Sequence, residues 1–333
     1  MKRIYILAAV AATALLSACS FESFDQIPKD TSIISTVNIK DMTISFYDMD
    51  NQEKLPDWRV DQPYTGGTIL PDGDSLLLYG KTLETVDLYS LSEGKKIDSW
   101  ETGEGIVNAL LVGNGTEIAF ADQNMESIRF FDMDGKKVKE VQAEKDPLTL
   151  IEADKKLYAI SYNHEILTII DLKNKERLPG FEIHPAAAGA IMSPEKDELW
   201  VGGHGKGTEI EERIHIYDLK TGKLKKEIPA PVMPVDFIKD EDSVFVLSHG
   251  SNMLYKLSGN GTKKDSIKVG ANPFEIEVFE HKLIVAGYDS NEVYIIDPGS
   301  LSVEKTFRVG NGPFQIVTRE RKQDESRKST NHR

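Results

Sequence analysis

Imidazoles and carboxylates are the side chains in this 333-residue chain that could do chemistry. His164, His204 and His249, with Asp122 and Asp289, are candidate ligand-binding residues, and Asp146 and His184 stand near them in the repeat described below. Two chemistries suit such a set. One is ligation of a divalent metal, for which imidazole and carboxylate are usual donors; the other is general-base catalysis. The competing reading is polar loop residues bonded to backbone or water. No two of these histidines lie four residues apart, so no helical face would pair them. The glycine-rich stretch 202–207 lacks the strand–loop–helix setting of a phosphate cradle, and Glu209, Glu211 and Glu212 follow it. It reads as a long interstrand loop. A Gly-x-Ser-x-Gly elbow and a haem-attachment motif are absent, so no catalytic residue and no cofactor is assigned.

The single cysteine excludes an internal disulfide framework and any zinc site built from several thiolates. Cys19 follows Lys2-Arg3 and the apolar run 4–16, which is too short to span a bilayer and suits a signal-peptide core. The run ends in Leu16-Ser17-Ala18-Cys19, which resembles a bacterial lipobox, with the cysteine as first mature residue. A diacylglycerol there gains about 0.8 kcal/mol per buried methylene, and two chains anchor stably. The expected layout is a lipoprotein signal peptide over 1–18, a lipid-anchored tether over 19–31, a folded domain over 32–320 and a disordered basic tail over 321–333. The expected location is extracytoplasmic, on a bacterial membrane. A net charge of −14 argues against nucleic acid as a partner, because phosphate binding needs a basic face.

The elements that position the histidines come from a repeat. Short β-branched or aromatic runs followed by a polar turn recur at 44–48, 86–90, 128–132, 167–171, 215–218, 253–256 and 293–297. With Asp48, Ser90, Asp132, Asp171, Asp218, Lys256 and Asp297 as register marks, the spacings are 42, 42, 39, 47, 38 and 41. Each run alternates or is wholly apolar, and no stretch sustains a helical period, so the units are built from strands. Four short strands per unit and seven units predict an all-β chain, a seven-bladed β-propeller of four-stranded blades. The N-terminal part supplies three strands, near 32–38, 43–47 and 55–60, and the C-terminal end supplies one, 314–319. One C-terminal plus three N-terminal strands would close the ring and hide two sheet edges.

Val293-Tyr294-Ile295-Ile296-Asp297, the strand 303–309 and the connection 310–313 resemble the repeat of Tyr-Val-Thr-Asn-type propellers. Met192-Ser193-Pro194 before Leu199-Trp200-Val201 is similar to that repeat's next turn and strand. The resemblance implies this fold over nearly all of 32–320, in a superfamily of lactonases, cofactor-bearing enzymes and plain binding scaffolds. It also implies that loops between second and third strands share one face with the interblade segments around a central channel. On that face fall Asp122, His164, His204, His249 and Asp289, joined by Asp146 and His184. The expected function is a monomeric, lipid-anchored binding or scaffold module for an extracytoplasmic protein, peptide or envelope polymer. The alternative is a lactonase- or lyase-type enzyme with a His/Asp-lined channel mouth. Phe130, Phe131, Trp200 and Tyr255 are expected to pack between blades.

Overall fold

The computed structural model describes residues 23–193 and 196–321. Cys19, the signal-peptide expectation and residues 322–333 lie outside them. Among the described residues no helix is long and apolar enough to cross a membrane. The chain forms seven four-stranded antiparallel sheets. Blades 1 to 6 follow in sequence at 66–101, 106–142, 147–178, 187–229, 234–268 and 273–308. Blade 7 pairs Pro313–Arg319 with Ile33–Asn38, which continues into Thr43–Asp48 and Glu53–Arg59. The innermost strand of each blade touches that of the next all the way round, so the architecture is a seven-bladed β-propeller.

Burial grades outward within each blade, and the sequence follows it. The second strands, such as Ser75–Tyr79 (Ser-Leu-Leu-Leu-Tyr), are buried throughout. The fourth strands are mostly exposed and carry the charge; Lys95–Glu101 exposes every residue but one. Phe130, Phe131, Trp200 and Tyr255 are buried in clusters that join neighbouring blades. Fully burying each such side chain contributes about 1.5–3 kcal/mol.

The register marks have a physical basis. Asp48, Asp132, Asp171, Asp218 and Asp297 end third strands, and their carboxylates accept backbone N–H groups of the turn that follows. These are Asx-type turns, in which a short side chain stands in for a backbone acceptor. Ser90 does the same through its hydroxyl, which accepts from Glu93 N–H. Blade 5 differs from the sequence reading: the turn acceptor is Ser258, bonded by Thr262 N–H, and not Lys256. The Lys256 ammonium instead reaches the Pro298 carbonyl of blade 6 at 2.6 Å.

The inner strands share a second device. Blades 2 to 6 carry a register shift just before the third residue of the inner strand, and in blade 7 the corresponding residue is Gln315. A bulge re-aims the side chain that follows it. These side chains stitch one blade to the next. Asn108 Nδ2 donates to Leu148 O at 2.8 Å, and Thr149 Oγ1 donates to Ala188 O. Asp236 accepts from Ile276 N–H at 2.8 Å, Glu275 from Ile316 N–H at 2.7 Å, and Gln315 from Gly67 N–H at 2.7 Å. In blade 4 the place belongs to Gly189, where a Cβ would stand 2.1 Å from Val235 O. Blades 4 and 5 therefore approach too closely there for any other residue.

Residues 23–31, the described part of the expected tether 19–31, lie docked on the rim between blades 7 and 1. Phe24 stacks on Trp58 at 4.9 Å, and Ile27 is fully buried. The backbone N–H groups of Phe24 and Ile27 donate to Gly94 O and Leu91 O. Arg319, 6% exposed, gives its guanidinium to the carbonyls of Pro28, Thr31 and Gly73. The last strand, the N-terminal segment and blade 1 thus meet on one side chain.

Candidate functional site

The loops between second and third strands gather on one face of the ring, around one mouth of the channel. There, aromatic and imidazole rings contributed by five blades meet in edge-to-face and tilted contacts. Tyr162 of blade 3 meets His204 of blade 4 at 5.9 Å, and His204 meets His249 of blade 5 at 5.5 Å. His249 lies 4.3 Å from Phe274, which follows Pro273 at the start of the inner strand of blade 6 and contacts both Phe314 of blade 7 and Tyr288. Lys40, in the corresponding loop of blade 7, sits 4.1 Å over the Tyr288 ring and pairs with Asp289 at 2.7 Å. Among the described residues blades 1 and 2 contribute no ring to this arc; there Lys81 bonds Gln123 instead.

Phe274 and Phe314 reach the rim because each follows the proline that opens an inner strand. Proline lacks an N–H, so it suits the strand end where no ladder partner waits. Phe314 is 37% exposed, and Phe274, Tyr288, His204 and His249 are half-buried. Burial and the neighbouring His249 hold the His204 pKa below the ordinary histidine value, and burial lowers that of His249. Both rings are therefore neutral at pH 7 and present apolar faces. His204 Nδ1 is buried with no hydrogen-bond partner among the described residues.

Below the rim the channel is acidic. Burial pushes the Asp236 carboxyl up to about 7, against the N–H bonds from Ile276 and Phe237. Burial, then the charge of Asp236, raises Glu275 well above the ordinary glutamate value, and burial raises Glu277. Asp236 and Glu275 accept N–H groups of the next blade and Glu277 that of Val278, and all three are half-buried.

Of the residues singled out in the sequence, the structure brings His204 and His249 together and sets Asp289 beside them. It does not bring in Asp122 or His164. Asp122 is fully buried, accepts N–H bonds from Asn124 and Met125, and faces Arg129 Nε at 3.1 Å. Its place is structural. His164 turns away to Glu144, 3.4 Å from Nδ1, and Asp146 accepts from Asn163. Sequence reasoning missed Tyr162, Phe274, Tyr288, Phe314 and Lys40. A signal existed: Pro-Phe stands at 273–274 and again at 313–314, one repeat apart.

His184 joins a different group on the same face, outside the arc. The rings of His184 and His215 stack at 4.2 Å, and both approach the carboxylate of Glu211, which is 6% exposed. Glu211 comes from the long loop of blade 4, where its N–H donates to His204 O.

No protein-family model and no curated protein sequence matches this chain. Solved structures do. A functionally unknown protein from Desulfotomaculum acetoxidans superposes with a TM-score of 0.72 at 12% identity, over 87% of this chain and 99% of that one. AztD from Citrobacter koseri gives 0.60 at 13% identity, over 86% and 98%. The dihydro-heme d1 dehydrogenase NirN gives 0.63 at 15% identity, over 88% and 66%. At these identities the likeness shows the fold, a seven-bladed β-propeller.

Proposed function

We propose that this protein is a lipid-anchored, extracytoplasmic binding module whose partner is a protein or peptide segment carrying aromatic and basic side chains, seated on the ring arc at the channel mouth. The observation that carries the reading is the arc itself. Five adjacent blades converge rings from Tyr162 to Phe314 on one rim, with an exposed phenyl group at the end. Aromatic side chains supply large contact area at low entropic cost and dominate the energetics of interfaces. Burial opposes ionisation of Asp236, Glu275 and Glu277 beneath, so a cationic group entering the channel supplies the counter-charge they lack, and the net charge of −14 favours its approach. The resemblance to Tyr-Val-Thr-Asn-type propellers, a superfamily that includes plain binding scaffolds beside enzymes, is in keeping with this. Membrane attachment rests on the lipobox at Cys19.

Selection of displayed peptides on the purified protein tests the binding half. Enriched sequences should combine aromatic with Lys or Arg residues and lose roughly tenfold or more in affinity for Phe274→Ala and Phe314→Ala, about 1.4 kcal/mol each. Enriched peptides that bind both variants as well as wild type would place the ligand elsewhere. For the anchor, Cys19→Ser should abolish labelling by a fatty-acid analogue, and persistent labelling would remove the lipid from the reading.

A further inference from the structure

We infer that His184, Glu211 and His215, on blade 4 beside the mouth, form a binding site for one divalent transition-metal ion of the zinc class. Their donor atoms lie within 4.8 Å of one another. A metal bonded at about 2.0–2.1 Å with tetrahedral angles spaces its donors about 3.3 Å apart. Glu211 Oε2 stands 3.3 Å from His215 Nε2 and 2.7 Å from His184 Nε2. One contact already has the tetrahedral spacing. The His184 contact needs to open by about 0.6 Å, and the two imidazole nitrogens, within 4.8 Å of each other on stacked rings, need to tilt toward a common point.

The surroundings are arranged as a metal site requires. His215 is 5% exposed and has a carboxylate oxygen 3.3 Å from each ring nitrogen, Glu211 at Nε2 and Glu227 at Nδ1. A neutral imidazole carries one N–H. When Nδ1–H is given to Glu227, Nε2 points a lone pair at the Glu211 carboxylate, and a cation between them converts that repulsion into two bonds. A carboxylate on the far nitrogen is also the partner that orients a metal-binding histidine and raises its basicity. Glu227 is the residue directly opposite His215 in the strand pairing, so the sheet register itself supplies it. Glu211 is held in turn, because its Oε1 accepts from Arg213 N–H at 2.8 Å. The His184 backbone N–H donates to Tyr217 Oη at 2.8 Å.

Imidazole with carboxylate selects zinc-class ions over calcium and magnesium, which take all-oxygen sets. Three protein donors leave a fourth position for water, and His184, whose side chain is 24% exposed, gives solvent access to it. The site shares no side chain with the aromatic arc, so it stands or falls apart from the ligand proposed there.

Titration of the chelator-treated protein with Zn2+, followed by calorimetry, should show one equivalent bound. His184→Ala, His215→Ala and the near-isosteric Glu211→Gln should each weaken binding by about 100-fold or more, and Glu227→Gln by about tenfold. His204→Ala and His249→Ala should leave it unchanged. Because the buried substitutions could unfold blade 4, wild-type protein gives a second readout: Zn2+ should shift the ring-proton resonances of His184 and His215 and spare those of His249. Absence of stoichiometric uptake by wild type, uptake undiminished in the folded variants, or resonances of His184 and His215 that do not move would each overturn the assignment.

Discussion

Asp236 offers the sharpest test of the channel. Its carboxyl is pushed from the ordinary 3.8 to about 7 by burial, while Phe237 N–H and Ile276 N–H donate to its two oxygens at 2.8 Å each. The unfolded chain releases this proton near the ordinary value and the folded chain holds it to about 7. Rising pH through that window therefore favours the unfolded state, and the full cost is present above it. Roughly three units at about 1.4 kcal/mol each set an upper limit near 4 kcal/mol, and halving this for water in the channel leaves about 2 kcal/mol. Asp236→Asn removes the ionisation but leaves one N–H facing an amide NH2, at a pH-independent cost of about 1–2 kcal/mol. The variant should thus be the less stable protein at about pH 4.5, and should gain on wild type by about 2 kcal/mol on going to about pH 8. Urea unfolding followed by the fluorescence of the buried Trp58, Trp100 and Trp200 measures the gap at both pH values. A gap that stays constant would mean that the carboxyl ionises freely, and the argument from burial would fail.

Three further outcomes follow from packing. Asp122→Ala should cost about 3–5 kcal/mol in denaturant unfolding, because it strands buried Arg129 without its counter-charge; a loss under about 1 kcal/mol would refute the pair's structural role. Arg319→Met should cost about 2–4 kcal/mol by orphaning the carbonyls of Pro28, Thr31 and Gly73, and a melting temperature equal to wild type would contradict this. A chain ending at Gly312 should melt far lower than one ending at Arg321, or be insoluble, since it lacks Pro313–Arg319 and bares the edge of Ile33–Asn38. Equal melting temperatures would refute that dependence.

Strands and blades were legible because local chemistry repeats. Asp132, Asp218 and Asp297 mark turns whose N–H groups they accept, so each signals its own position within a few residues. Lys256 misled by two residues, since in blade 5 a serine hydroxyl does the work of the carboxylate. The ring arc was half legible. His204 and His249 are visible as loop histidines, but their contact depends on the curvature of the whole ring, which no local pattern encodes. Asp122 looked available because it ends a strand at a loop; its burial comes from Arg129 across the sheet, in a different strand. The blade 4 cluster was least legible. His215 reads as one more strand residue, and Glu211 reaches it only because the long loop folds back to bond His204 O and to accept from Met233 N–H.

The blade shared by both ends of the chain also governs the order of events in folding. Blades 1 to 6 each assemble from a stretch of about forty residues, whereas Ser35 Oγ bonds Val317 O across 282 positions of sequence. Contacts at such separation form late, because the loop between them must first be organised. A chain emerging N-terminus first holds its first three strands with an unpaired edge until the final strand is made, and this is the interval in which it is most prone to aggregate. Once the ladder forms, opening blade 7 requires unzipping it, so this antiparallel seam contributes to how long the folded molecule survives. That lifetime is a rate, adjustable at Pro313–Arg319 without altering the mouth's inventory of rings beyond Phe314.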